Sequence, residues 1–171
     1  MATGTLVSVE EYLSSCYRPD RDYVEGAVEE RNVGEGEHSS LQMALGAYLF
    51  NRQKQWNIRV LPEQRVQVKP RRFRVPDICV LLGRDPIVPI VTEPPYICIE
   101  ILSSEDRMVK VQNRIDDYLA FGVRHIWVID PRSRRAFVFD ADGSREVKDG
   151  ILRTDDPAIE IPLPEVFTSM D

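Results

Sequence analysis

Two apolar runs of the chain each carry one acid where burial would penalise it. RVPDICVLL, ending at Leu82, contains Asp77, and YICIEILSSED, beginning at Tyr96, contains Glu100. Side chains of an extended strand alternate between its faces. Tyr96, Cys98, Glu100 and Leu102 therefore share one face, with Ile97, Ile99 and Ile101 on the other, while Asp77 shares a face with Cys79 and Leu81. If the two strands are neighbours, the carboxylates lie side by side. Two ionised carboxylates in an apolar sheet are unstable alone, and a divalent cation removes the conflict. Oxygen ligands of this kind suit Mg²⁺ or Mn²⁺, which keep several waters and can bind a phosphate. Such an ion activates water and neutralises charge on a phosphodiester. Each acid also has a plainer explanation: Asp77 could cap a turn after Pro76, and Glu100 could pair with an arginine. Those explanations suit one acid better than two, each central in its strand.

Cations stand nearby in sequence. In the helix predicted after Glu100, Arg107, Lys110 and Arg114 fall at i, i+3 and i+7, along one flank. A cation there would lean over the end of the sheet toward a phosphate, although a snorkelling surface side chain explains each of the three singly. A second group spans residues 52–74, where eight bases, among them Arg65, Lys69, Arg71, Arg72 and Arg74, face Glu63 alone. This is either a phosphate-binding patch or a solvated charged hairpin. Residues 1–40 hold nine acids against three bases, and the net charge of −6 argues against a protein that simply coats DNA.

The elements that must position these residues are legible in outline. SVEEYLSSC is predicted to be a short helix capped by Ser8, with Glu11 three residues on. DYVEGAVEERNVG alternates around Gly26 and predicts a strand or hairpin, with a loop at Gly34–Gly36. EHSSLQMALGAYLFNRQKQW places Leu41, Leu45, Tyr48 and Leu49 at helical spacing, with Ser39 or Ser40 as its cap. IRVLPEQRVQV, broken by Pro62, then FRVPDICVLL and YICIEILS read as strands. EDRMVKVQNRIDDYLAFG sets Met108, Val111, Ile115, Tyr118 and Leu119 on one helical stripe that ends at Gly122. RHIWVID is a further strand, AFVFDADGSREV a hairpin turning near Asp142-Gly143, and AIEIPLPEVF a short strand with a terminal turn. Three strands without intervening helices favour antiparallel pairing, and the next helix can cross over to bring RHIWVID alongside another strand. The expected fold is α/β, an α-β-β-β-α-β core around one mixed β-sheet flanked by helices, formed by residues 1–171 as a single domain.

The totals narrow the class. A chain of 171 residues can bury a sizeable core, and 43% hydrophobic with 29% charged residues is a globular composition. No apolar run is long enough to cross a membrane, and MATGTLVSVEEYL lacks the basic start and apolar stretch of a secretory signal. The three cysteines cannot form a complete intrachain disulfide set, and Cys79 and Cys98 sit in apolar runs as small core residues. A cytoplasmic protein is expected. There is no CxxC, and His38 and His125 are far apart, so a structural zinc site is not expected. No GxSxG motif supports a serine hydrolase.

The ordered set DYVEG, EHSSLQ, VPDICVL, CIEILSSEDR and DDYLAFGVRHIWVIDP resembles the Uma family of restriction endonucleases, within the PD-(D/E)XK nuclease superfamily, over roughly Ser8 to Phe167. The resemblance implies a restriction-endonuclease-like core and Mg²⁺-dependent (or Mn²⁺-dependent) hydrolysis of DNA. It makes Asp77 the metal-binding aspartate, Glu100 the acid of the second motif and the Ile101 backbone carbonyl a further ligand. Asp22 corresponds to an acid carried shortly before Gly26, and His38 to a histidine at the start of the first long helix; both are expected to support the site. One position departs from the pattern, because Leu102 stands where (D/E)XK has lysine. Arg114 falls where many relatives have a lysine on the following helix, with Lys110 one turn earlier. Arginine stays charged and is a poor proton acceptor, so Arg114 is expected to hold a phosphate or stabilise the transition state, with either Lys110 as base or a metal-bound hydroxide sufficing. Arg65, Lys69, Arg71, Arg72 and Arg74 would track the phosphate backbone. Paired active sites would suit double-strand cleavage, and a homodimer is expected. The competing expectation is a silent relative that keeps the fold as a DNA-binding or protein-interaction module, favoured by the missing lysine and the acidic total.

Overall fold

The computed structural model describes residues 5–32 and 34–171. Met1–Gly4, which open the segment read for a secretory signal, and Val33, near the end of the DYVEG segment, lie outside the described residues. The chain begins with α1 (Val9–Ser14), whose N-cap Ser8 accepts the Glu11 N–H at 3.1 Å as its sequence predicts. Next come β1 (Asp22–Val24) and β2 (Ala27–Glu29), a hairpin turned at Glu25 and Gly26. Helix α2 (Gly36–Arg52) starts three residues before Ser39. The Glu35 carbonyl accepts the Ser39 N–H, so both serines lie inside the helix and cap nothing. Leu41, Leu45 and Leu49 form its buried stripe.

The stretch from Ile58 to Leu82 makes four strands: β3 (Ile58–Pro62), β4 (Val66–Lys69), β5 (Arg72–Arg74) and β6 (Ile78–Leu82). FRVPDICVLL is thus two strands rather than one. Proline offers no N–H to a ladder, and at Pro76 the chain leaves one sheet for another. Strand β5 pairs within a four-stranded sheet ordered β2-β1-β5-β4. Strand β6 belongs to a six-stranded sheet that also takes in β7 (Ile97–Ile101), β8 (His125–Asp130), β9 (Arg135–Asp140) and β10 (Gly143–Glu146), in the order β10-β9-β8-β7-β6-β3. Its pairings are antiparallel except β7 with β8, which are parallel because α3 (Met108–Phe121) crosses over between them. A two-stranded sheet of β11 (Ile151–Arg153) and β12 (Glu160–Pro162) and a terminal helix, α4 (Leu163–Thr168), complete the fold. The mixed α/β architecture with a flanked mixed sheet is the one expected.

The core lies on both faces of the large sheet. Ile97, Ile99 and Ile101 pack with the α2 leucines and Trp127, while Cys98 packs with Val111, Ile115 and Tyr118 of α3. The alternation read in YICIEIL therefore holds from Ile97 onward, while Tyr96, just before β7, packs in the cluster of the isoleucines instead. Gly122 closes α3 at φ 105°, its N–H bonded to the Tyr118 and Leu119 carbonyls. Met108, placed on the apolar stripe by spacing, is exposed, because α3 starts in solvent and is first buried at Val111. A third cluster joins Tyr12, Tyr23 and Phe73 under the smaller sheet.

Candidate functional site

The β6–β7 register pairs Ile78 with Ile99, and continuing it sets Asp77 opposite Glu100. Both acids are 2% exposed. Asp77 Oδ2 accepts the Ile101 N–H at 2.7 Å, and its other oxygen, Oδ1, accepts a guanidinium N–H of Arg31 and lies 3.3 Å from His38 Nε2. Gln42 holds the Asp77 carbonyl at 3.0 Å. Glu100 accepts the Tyr118 hydroxyl at Oε1 (2.7 Å) and Arg114 at Oε2 (3.2 Å). The plainer explanation for Glu100, an arginine partner, therefore applies as well.

Their surroundings push the two carboxyls in opposite directions. Burial lifts Glu100 to about 7, with Arg114 pulling it down and Asp77 pushing it up. Burial acts in the same direction on Asp77, but the His38 hydrogen bond and then the Arg31 charge hold it below the usual carboxylate range. For His38, burial disfavours the charge most strongly, yet the Asp77 hydrogen bond and the Asp77 charge together raise the imidazole above its ordinary value. A neighbouring pair pushed apart in this way is common where carboxyls do chemistry. His38 Nδ1 is buried without a hydrogen-bond partner among the described residues.

Asp22, 1% exposed, ties this pair to a second cluster. Its Oδ2 accepts Arg114 at 3.2 Å and Arg74 at 2.9 Å, and its Oδ1 takes the Val75 N–H at 2.9 Å. Arg74 also reaches Asp117 at 2.8 Å and Glu29 at 3.2 Å, and Arg72 reaches Asp117 at 2.8 Å.

The structure thus gathers Asp22, His38, Asp77, Glu100 and Arg114, together with the Ile101 backbone. Lys110 is exposed and touches neither acid. It lines a cleft of about 430 Å³ with Glu30, Asn32, Asp106, Arg107 and Arg114. The basic segment does not form one strip. Arg65 is bound at both ends of the Asp20 carboxylate (2.7 Å each) and lies over the Tyr12 ring. Arg74 is interior, and Arg72 is mostly so. Lys69 is exposed, and Arg71 is exposed with only a 3.8 Å approach to Glu25. Charge counting could not separate them, because a guanidinium's partner is chosen by the tertiary fold.

Sequence reasoning missed Arg31 and the polar role of Tyr118. Tyr118 was within reach, since Arg114 and Tyr118 are i, i+4 neighbours on α3 and face the same acid. Arg31 sits between β2 and α2, where no periodicity points to a partner. Among the described residues, no three His, Cys, Asp or Glu side chains converge to hold a metal. The donors at the pair are oxygens of the hard type that suits Mg²⁺ or Mn²⁺, and positive groups already crowd it. In kind, the residues fit a divalent cation.

The family model of Uma2, described as "Putative restriction endonuclease", matches residues 9–169. Among solved structures, a "putative nuclease belonging to DUF820" from Anabaena variabilis superposes with a TM-score of 0.84 at 23% identity, covering 96% of this chain and 99% of that one. That likeness speaks for the fold. No curated protein matches the sequence. No helix among the described residues is long and apolar enough to cross a membrane. With a match over nearly its whole length, the chain belongs to the Uma2 family of restriction-endonuclease-like proteins.

Proposed function

We propose that the protein is a metal-dependent endonuclease that hydrolyses DNA phosphodiester bonds, with residues 1–171 acting as one nuclease domain in the cytoplasm. The observation that carries this reading is the juxtaposition of Asp77, just before β6, and Glu100 in β7, both buried and paired with Arg31 and Arg114. Asp77, Glu100 and the Ile101 carbonyl would hold Mg²⁺ or Mn²⁺. When bound, the ion supplies Lewis-acid activation of water and charge neutralisation at phosphorus.

The chain's own groups do the remaining work. Arg114, fixed by Asp22 on one side and Glu100 on the other, holds positive charge toward the neighbouring cleft without giving up a proton. Lys110 and Arg107 line the same cleft and place further positive charge where a phosphate would lie. His38 orients the Asp77 carboxylate through Oδ1. Lys69 and Arg71 are among the exposed members of the basic segment that can meet a DNA backbone. A homodimer would present two such sites to a duplex; light scattering that shows a monomer at working concentration removes that part.

Plasmid cleavage tests the core proposal. Wild type should nick or linearise DNA with Mg²⁺ or Mn²⁺ and not with a chelator, and Asp77→Asn should be inactive. Equal cleavage by Asp77→Asn would show that the assigned site is wrong. The second reading, a silent DNA- or protein-binding module, draws on Leu102 in the lysine position and on acids already paired with arginines. It predicts no metal-dependent turnover by the wild type.

A further inference from the structure

Arg31 belongs to neither strand of the acid pair nor to α3, yet it supplies a positive charge directly to Asp77. Its side chain is 8% exposed. Asp77 Oδ1 already meets both Arg31 and His38, while Oδ2 takes the Ile101 N–H, so a cation that engages Oδ1 must displace one of its two partners. A divalent ion held by Asp77 and Glu100 would draw on the charge that Arg31 now neutralises. The other arginine is differently placed. Arg114 rides on α3 and is shared between Asp22 and Glu100, whereas Arg31 sits on irregular chain and bonds one carboxylate of the site. Of the two, Arg31 is the one that can leave.

We propose that Arg31 is a built-in counter-ion that holds Asp77 in the metal-free protein and is displaced by the divalent cation, so that metal affinity is set by competition with Arg31. The inference rests on the metal-dependent reading above and adds a residue whose removal should tighten metal binding. An uncompensated carboxylate in an apolar setting is costly, which gives the arginine a structural reason to be there before metal arrives.

The test is thermal unfolding of the full chain against Mn²⁺ concentration, for wild type, Arg31→Met and Arg31→Lys. Without metal, Arg31→Met should melt several degrees below wild type. Its Mn²⁺ midpoint should fall about tenfold, the scale set by losing one charge-assisted hydrogen bond, and saturating Mn²⁺ should close the gap in melting temperature. Arg31→Lys, which keeps the charge, should stay near wild type in both respects. If Arg31→Met is unfolded without metal, recovery of its fold at saturating Mn²⁺ supports the inference and failure to recover overturns it. Equal Mn²⁺ midpoints for wild type and Arg31→Met overturn it while leaving the nuclease reading in place. No Mn²⁺ effect on any of the three overturns both.

Discussion

Two buried ionic clusters share Asp22 and both pair acids with arginines, yet they are built differently. Around Arg74, one guanidinium meets Asp22, Asp117 and Glu29, and the Val75 N–H completes Asp22. Each acid there is matched by a guanidinium from β5 or α3, Arg72 Nε alone lacking a partner among the cluster's described residues, and Arg74 is 4% exposed. Around Asp77 and Glu100, the cations come from a connecting segment and one helix, a histidine joins, and a cleft opens beside Arg114. The first cluster locks the small sheet to α3. The second keeps its charge matched by groups that can be exchanged. Burial alone therefore does not separate the two clusters; on the proposed reading, what distinguishes the Asp77–Glu100 pair is a partner that metal replaces, beside an adjoining cleft.

Breaking the first cluster should give the largest stability loss. Arg74→Met takes one of two guanidinium partners from each of Asp22 and Asp117, which keep Arg114 and Arg72, and removing one partner of a buried ion pair costs up to about 3–5 kcal/mol. A urea melt should show it; a loss below about 1 kcal/mol would mean that the cluster does not lock the sheets.

That contrast also shows what the sequence made legible. The alternation in YICIEIL put Glu100 on the α3 face, and the stripe through Val111, Ile115 and Tyr118 with Gly122 at its end set the crossover helix. Period and turn chemistry are local, so they survive in one dimension. The division of FRVPDICVLL between two sheets was not legible, because a proline marks an interruption without saying where the chain goes next. The internal use of Arg65, Arg72 and Arg74 was hidden for a related reason. Their partners Asp20, Asp22 and Asp117 are more than forty residues away in sequence, so a run of basic residues looked like a surface.

Asp22→Asn probes the shared residue. It weakens the hold on both Arg74 and Arg114, so stability should fall by about 1–3 kcal/mol and cleavage should fall too. A variant with reduced stability but full cleavage would separate the clusters completely. Lys110→Ala touches only the cleft. It should lower cleavage about tenfold or less, with stability unchanged within about 0.5 kcal/mol; a large melting shift would place Lys110 in the fold rather than at the substrate.

The smallest expected effect serves as a check on the sheet itself. Burial pushes the Cys79 thiol up to about 12 and raises Cys98 further from reactivity, while Cys16 is exposed. In native protein a thiol reagent should therefore modify Cys16 rapidly and the other two only on unfolding. Fast reaction of all three in a site variant would reveal a disturbed sheet rather than a lost function.

The central claim is that the Asp77–Glu100 pair is kept for chemistry and the Arg74 cluster for stability. Glu100→Gln tests it most directly, measured for Mg²⁺- or Mn²⁺-dependent plasmid cleavage and for urea unfolding on the same preparation. The amide keeps the volume and can still accept the Tyr118 hydroxyl, while the burial of a carboxyl is relieved. The account predicts no cleavage and a stability within about 1 kcal/mol of wild type. Retained cleavage, or a collapse of the fold comparable to Arg74→Met, would contradict it.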